Sequence, residues 1–363
     1  MNEQEEIRRE IARTDKEMAL LFEKRMKAAG RIAIHKKKRG LSVDSAETEK
    51  TFIENNSALI SDPVLRAHYI KFLHNAISVF RSYQRELISG SRIAYSGIAG
   101  SFAAIAAERI FPDALTVNFP GFAEAWKAVA EGDCEQAVLP VENSYAGEVG
   151  QVADLMFHGS LFINAVYKLR IRQNLLAPKG SRISDIRTVR SHPQALSQCR
   201  EYIKIHGFRE EEAINTAMAA ESVAREGDIH TAAIASMETA ELYGLSVLDH
   251  DIQTSFSNET RFAVFSRVQN TLNDKKTCRF MLMFTVRNEA GSLAEAISVI
   301  GRYGFNMCSL RSRPLGSSPW QYYFCMEAEG EIFSAEGREM MNALAKNCGI
   351  LKIAGSFSEP EEI

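Results

Sequence analysis

Cysteine is sparse and scattered in this chain of 363 residues. Its six positions, Cys134, Cys199, Cys278, Cys308, Cys325 and Cys348, include no Cys-x-x-Cys and no pairing with histidine at metal-ligand spacing. That argues against a disulfide or zinc framework and for reduced thiols in a cytoplasmic protein; neither a metal nor a cofactor is expected. Long apolar runs are missing as well: no stretch approaches the roughly 18 residues needed to span a bilayer. The first residues, Met-Asn-Glu-Gln-Glu-Glu, lack the apolar core of a signal peptide. Nor is there an excess of one charge. Lysine and arginine total 43 against 46 acidic residues, a formal net charge of −3, which argues against nucleic acid or an anionic membrane as the main partner.

What is present is an ordinary soluble composition, 45% hydrophobic, at a length that suggests two or three domains. Residues 1–90 read as nearly all helix. Ile7, Ile11, Met18, Leu21, Phe22 and Ile32 keep an apolar stripe at helical spacing through about residue 38. A second helix is expected over 46–59. A third opens at Asp62-Pro63, a capping residue before a proline at the first helical position, and carries Leu65, Tyr69, Phe72, Leu73, Ala76, Phe80 and Tyr83. These helices cannot bury their stripes alone, so two chains are expected to intertwine. Arg25 and Lys36 are eleven residues apart, about 20° of helical rotation and ~16 Å of rise. They share a face and can bracket a small dicarboxylate. Arg8, ~25 Å along the same helix, could meet that ligand only from a partner chain. The basic run Lys36-Lys-Lys-Arg39 reads as a solvated helix end or as part of an anion site.

Ser89-Gly-Ser91 is the expected linker, and from Arg92 to about Val268 strands alternate with helices. Strand cores are expected at 93–95, 117–119, 137–139, 162–166, 232–235 and 262–265, and helices at 121–131, 193–206, 216–226 and 237–243. This order predicts an α/β fold with two lobes around a cleft. Small polar residues fall at the strand ends, where such folds bind ligands. They are Ser101 in Ser96-Gly-Ile-Ala-Gly-Ser-Phe102, then Glu142-Asn143-Ser144, Ser191 with Gln194, Thr216-Ala217, and Thr260-Arg261-Phe262. His192 reads either as an acid or as part of a helix cap. After a polar linker at 270–276, a βαββαβ pattern predicts a ferredoxin-like α+β unit over 277–363.

Three of these stretches, Val138-Leu-Pro-Val-Glu-Asn-Ser144, Ser191-His-Pro-Gln-Ala-Leu196 and Asn258-Glu-Thr-Arg-Phe262, in this order resemble the signature of the prephenate dehydratase family. Residues 1–90 resemble the all-helical chorismate mutases, and 277–363 resemble an ACT regulatory domain, the arrangement of the bifunctional enzymes. For 91–269 the resemblance implies a fold like that of periplasmic binding proteins, with the ligand at the hinge.

The mutase resemblance implies that Arg8 and Arg25 hold the carboxylates of chorismate, Lys36 and Gln84 face its ether oxygen, and Glu49 takes the ring hydroxyl. Three positions depart from that family: Ser45 for an acidic or amide residue, Thr48 for an arginine and Phe80 for a small polar residue. In the dehydratase segment the resemblance implies that Thr260 contacts the leaving hydroxyl of prephenate, with Asn143, Gln194 and Glu142 also catalytic. Ser101, Ser144, Ser191, Thr216, Ala217, Arg261 and Phe262 would bind substrate. Arg261 either anchors a carboxylate or pairs with Glu142.

The ACT resemblance places an amino-acid effector, L-phenylalanine, at Gly291-Ser292-Leu293 and Ser312-Arg313-Pro314, between two copies, with Arg311 where the family has an acid. The reading is thus a homodimer or larger homo-oligomer acting on chorismate and prephenate. The alternative is a monofunctional prephenate or arogenate dehydratase whose helices only dimerise.

Overall fold

The computed structural model describes residues 3–39, 46–271, 278–315 and 321–363. Ser45 and most of the 270–276 linker lie outside the described residues, as does the side chain of Lys36. The chain separates into two compact units. One is built on three helices, α1 (Glu3–Arg39), α2 (Ala46–Ser57) and α3 (Pro63–Ser89). Asp62 caps α3 as its sequence suggests, its carboxylate accepting from the amides of Val64 and Leu65 at 2.7 and 3.1 Å. Much of the apolar stripe stays exposed in the single chain: Ile7, Ile11, Leu21 and Phe22 are all more than half exposed. No helix among the described residues is long and apolar enough to cross a membrane.

The second unit begins with β1 (Arg92–Ser96), α4 (Phe102–Ile110), β2 (Leu115–Phe119), α5 (Phe122–Ala130), β3 (Gln136–Asn143), β4 (Gly147–Glu148), α6 (Gly150–His158) and β5 (Phe162–Arg170). A second lobe follows: β6 (Asn174–Ala177), β7 (Thr188–Ser191), α7 (Pro193–Gln198), α8 (Arg200–His206), β8 (Arg209–Glu212), α9 (Thr216–Glu226), β9 (Thr231–Ala235), α10 (Met237–Tyr243) and β10 (Ser246–Asp249). The chain returns to the first lobe as β11 (Glu259–Ser266), which lies antiparallel between β5 and β3. The helix expected over 193–206 is broken at Cys199, which is fully buried and ends α7 while starting α8.

The last segment runs β12 (Cys278–Val286), α11 (Ser292–Arg302), β13 (Asn306–Pro314), β14 (Tyr322–Glu329), α12 (Ala335–Leu344), β15 (Cys348–Ser358) and β16 (Glu361–Glu362). Up to β15 this is the expected βαββαβ order. Its sheet does not stand apart. The order β13-β14-β12-β15-β5-β11-β3-β1-β2 makes one continuous sheet with the first lobe, beside a five-stranded sheet β10-β6-β9-β7-β8 in the second. The junction is at Gly355, which pairs with Ile163 of β5. A side chain at Gly355 would collide with the Ile163 carbonyl, so glycine is what lets the two backbones approach.

Along β3 and β11 the alternation of strand side chains places one set toward the cleft between the lobes and the other toward β13 and β14. The cores are separate. Phe280, Leu282, Phe284, Met326 and Ile300 fill the C-terminal segment, and Leu175, Val189, Leu196 and Ile234 fill the second lobe.

Candidate active site

Between the lobes lies a cavity of about 180 Å³ lined by Ser101, Asn143, His192, Gln194, Thr216 and Thr260, with Gln173 and Asn215. Three helix starts converge on it. Ser101 caps α4, its Oγ accepting from the Ala104 amide at 3.3 Å; Asn215 caps α9 through Met218 at 2.7 Å; His192 caps α7, its Nδ1 accepting from the Gln194 amide at 3.2 Å. Such termini present amide hydrogens and positive potential, a setting for carboxylates. Burial lowers the pKa of the His192 imidazole from its ordinary value, with Glu212 opposing in part, which favours the neutral ring whose Nδ1 caps α7.

Asn143 is the hub. Its Nδ2 donates to Asn258 Oδ1 at 2.9 Å and to Thr260 Oγ1 at 3.0 Å, and its Oδ1 accepts from Gln194 Nε2 at 3.1 Å and from the amides of Tyr145 and Ala146. Thr260 pairs with Asn143 in the antiparallel register of β11 and β3. Because Thr260 Oγ1 accepts from Asn143, its own hydrogen is left to donate into the cavity. Gln173, 2% exposed, keeps Oε1 without a hydrogen-bond partner among the described residues. A buried acceptor of that kind is costly unless a donor reaches it. Among the described residues, no hydroxyl lining this cavity is hydrogen-bonded to a histidine or a carboxylate, so no activated nucleophile is assembled there.

A prephenate dehydratase family model matches residues 93–270, and a chorismate mutase type II model matches residues 7–85. The arogenate dehydratase/prephenate dehydratase 2 of Arabidopsis thaliana is 30% identical over 325 residues, covering 87% of this chain and 82% of that protein. The chain belongs to the prephenate dehydratase family. The bifunctional chorismate mutase/prephenate dehydratase of Escherichia coli (strain K12) is 28% identical over 366 residues, 97% of this chain and 95% of that one. Among solved structures, one described as GqqA, a novel type of quorum quenching acylases, is 31% identical with a TM-score of 0.68, covering 74% of this chain and 98% of that one. The prephenate dehydratase of Arthrobacter aurescens in complex with L-Phe has a TM-score of 0.69 at 24% identity, covering 74% and 90%.

Within this prephenate dehydratase family member, the expected residues divide between two faces. Asn143, Gln194, Thr260, Ser101 and Thr216 meet at the cavity. Glu142 and Arg261, one residue away on each strand, do not line it. They face the opposite side and bond each other at 3.1 Å, as strand alternation requires. Of the two roles open for Arg261, the geometry gives the pairing. Ser191 is fully buried, its Oγ donating to the Ile234 carbonyl at 2.6 Å; Ala217 and Phe262 are core, and Ser144 Oγ donates to the Ser257 carbonyl at 3.0 Å. None of these four lines the cavity. Gln173, Asn215 and Gln198 were not singled out by sequence; of these, only Asn215, a capping residue ahead of an alanine-rich helix, carried a local signal. Asn258 heads one of the three quoted stretches but was given no role there.

In the helical unit, Arg25 lies over the Phe80 ring at 4.2 Å and near Phe52 at 5.7 Å, a cation–π arrangement. Glu49 is paired with Arg81, Gln84 is half-buried on α3, and Arg8 is exposed.

In the C-terminal segment a cavity of about 470 Å³ is lined by Leu293, Val286, Leu315, Tyr322, Phe324 and Ile350. Gly291, at φ +87°, starts α11 and leads into Ser292 and Leu293. Ser312 and Pro314 sit on β13 opposite Phe324 and Tyr322. Arg313 does not join them. It faces α6, bonding Asp154 at 3.0 Å beside Tyr323, again because alternate residues of a strand point to opposite faces.

Proposed function

We propose that the chain carries out two consecutive reactions: chorismate to prephenate in the helical unit, and prephenate to phenylpyruvate, carbon dioxide and water in the cleft. The observation that carries the dehydratase reading is the convergence of Thr260, Asn143 and Gln194 at a cavity ringed by helix N-termini. In that reaction the bond from the ring to its carboxylate breaks and the electron pair enters the ring. The carbon–oxygen bond of the ring hydroxyl breaks as aromaticity forms, and the departing oxygen takes up one proton, ultimately from solvent, to leave as water. No nucleophile is required. The cleft has to hold the side-chain carboxylate at the helix starts and donate to the departing oxygen, and the Thr260 hydroxyl, oriented by Asn143, is the group proposed to do so.

For the mutase step the roles proposed for Arg8, Arg25, Lys36, Glu49 and Gln84 are those of the family, with the site completed by the partner chain of a homodimer. The exposed apolar stripe on α1 supports such pairing. A second reading has a specific observation behind it. Phe80 and Phe52 cover Arg25 and Arg81 engages Glu49, so the helical unit would dimerise without catalysis. Purified protein supplied with chorismate alone, with prephenate and phenylpyruvate followed over time, separates the two. Parallel kinetics on prephenate and arogenate assign the dehydratase substrate.

The C-terminal segment is proposed as an ACT regulatory module binding L-phenylalanine at the cavity beside Leu293, and the two-lobed cleft as an arrangement like that of periplasmic binding proteins. The cavity's apolar wall of Leu293, Tyr322 and Phe324 suits an aromatic ring, and the open turn at Gly291 suits a carboxylate. The proposed location is cytoplasmic.

A further inference from the structure

Thr260 and Asn143 face the cleft, while their neighbours Arg261 and Glu142, also in register with each other, face β13 and β14. There a row of alternating charges runs directly behind the reacting pair. Glu327 of β14, 1% exposed, accepts two bonds from Arg261 at 2.8 and 3.0 Å and one from Arg279 at 3.2 Å. Arg261 also reaches Glu142 at 3.1 Å, and Arg311 of β13 pairs with the other oxygen of Glu142. Burial alone would weaken the charge on Arg261, but its bonds to Glu327 and Glu142 more than offset this.

Stability does not explain such a row, since well-packed apolar groups usually serve as well as buried ion pairs. What a two-pronged guanidinium–carboxylate contact adds is fixed direction. Direction matters at this point because the strands are irregular: the register of β11 with β3 slips between Arg261 and Phe262, leaving Val141 as an extra residue. A bulge re-aims side chains and loosens the ladder that would otherwise hold them.

We propose that Glu327 and Arg311, both from the C-terminal segment, are positioning residues of the dehydratase reaction. Acting through Arg261 and Glu142, they hold the bulged ends of β11 and β3 so that Thr260 and Asn143 keep their geometry in the cleft. The inference rests on the dehydratase reading of that cleft.

The test uses the full chain with Glu327→Gln, which keeps shape and removes charge, and separately Arg311→Gln, at a half-buried position where misfolding is less of a concern. In steady-state kinetics each variant lowers kcat about tenfold while KM stays within about twofold, because alignment rather than binding is lost. Glu327→Gln lowers the melting temperature, since it leaves buried guanidiniums short of a counter-charge, so kcat is read where circular dichroism shows every variant fully folded. Arg311→Gln keeps near-wild-type melting, and Glu327→Asp, which restores the charge, recovers part of kcat. A kcat within about twofold of the wild type in both Gln variants, or a loss that tracks loss of folded protein, overturns the proposal. A wild type that turns over neither prephenate nor arogenate overturns the dehydratase reading and the positioning role with it.

Discussion

Gln194 Nε2, on α7 of the second lobe, donates to Asn143 Oδ1 at the end of β3 in the first, over 3.1 Å. The bond closes the cleft from across, and Asn143 passes the constraint to Thr260 at 3.0 Å. Thr260→Ala should therefore lower kcat for prephenate about 100-fold with little change in KM, the usual cost of one donor that acts mainly in the transition state. Thr260→Ser should keep most of the rate. Asn143→Ala should be at least as damaging, because it frees Gln194 and Thr260 together. Steady-state assays of the three variants check this, and near-normal turnover in Thr260→Ala would remove the hydroxyl from the mechanism.

His192 gives the cleft a pH dependence with a definite sign. Burial keeps its folded-state value below the ordinary 6.5, so at lower pH the unfolded chain binds more protons than the folded one. Stability from this group is therefore complete above about 6.5 and is lost as pH falls through that value toward the folded pKa. Protonation also removes the Nδ1 acceptor that caps α7. His192→Asn, a capping residue without a titratable ring, should flatten the acid limb of both thermal stability and turnover.

Arg313 packs its guanidinium against Gly150 at the start of α6 while bonding Asp154. Gly150→Ala would displace it. Alanine alone favours a helix by about 0.5–1 kcal/mol, so the substitution should be neutral or destabilising in the wild type and stabilising in an Arg313→Ala background. A double-mutant cycle in urea should show a coupling of about 1 kcal/mol. Simple additivity would place the arginine elsewhere in solution.

If the C-terminal cavity takes L-phenylalanine, Gly291→Val should leave an active enzyme that no longer responds to it. A β-branched residue at φ +87° strains the turn. Calorimetry without binding at millimolar L-phenylalanine would sink the idea, and Arg311, standing where the family has an acid, would be the first position to examine.

A mutase site shared between two chains predicts complementation. Arg8→Ala and Lys36→Ala proteins, each inactive toward chorismate, should regain some activity when mixed, since one of the two hybrid sites is intact. Their dehydratase activity should be unaffected in the same preparations.

The amino-acid sequence by itself determined the elements and much of the cleft. Helical spacing marked α1, Asp62-Pro63 marked the start of α3, and the polar ends of apolar strands marked Asn143, Gln194 and Thr260, because capping and alternation are local and legible residue by residue. Tertiary structure decided which neighbours share a face and what waits on the other side. Arg261 was open between two roles until β14 brought Glu327 against it, from 66 positions along the chain. Gln173, in plain loop sequence, became a cavity residue only through the fold, and Asn258, quoted within a signature stretch but without a role, became a partner of Asn143 only through pairing. The joining of β15 to β5 at Gly355 had no sequence signal, since a glycine that permits close approach looks like any other glycine. Contacts of that range depend on which sheets meet, and no local pattern encodes it.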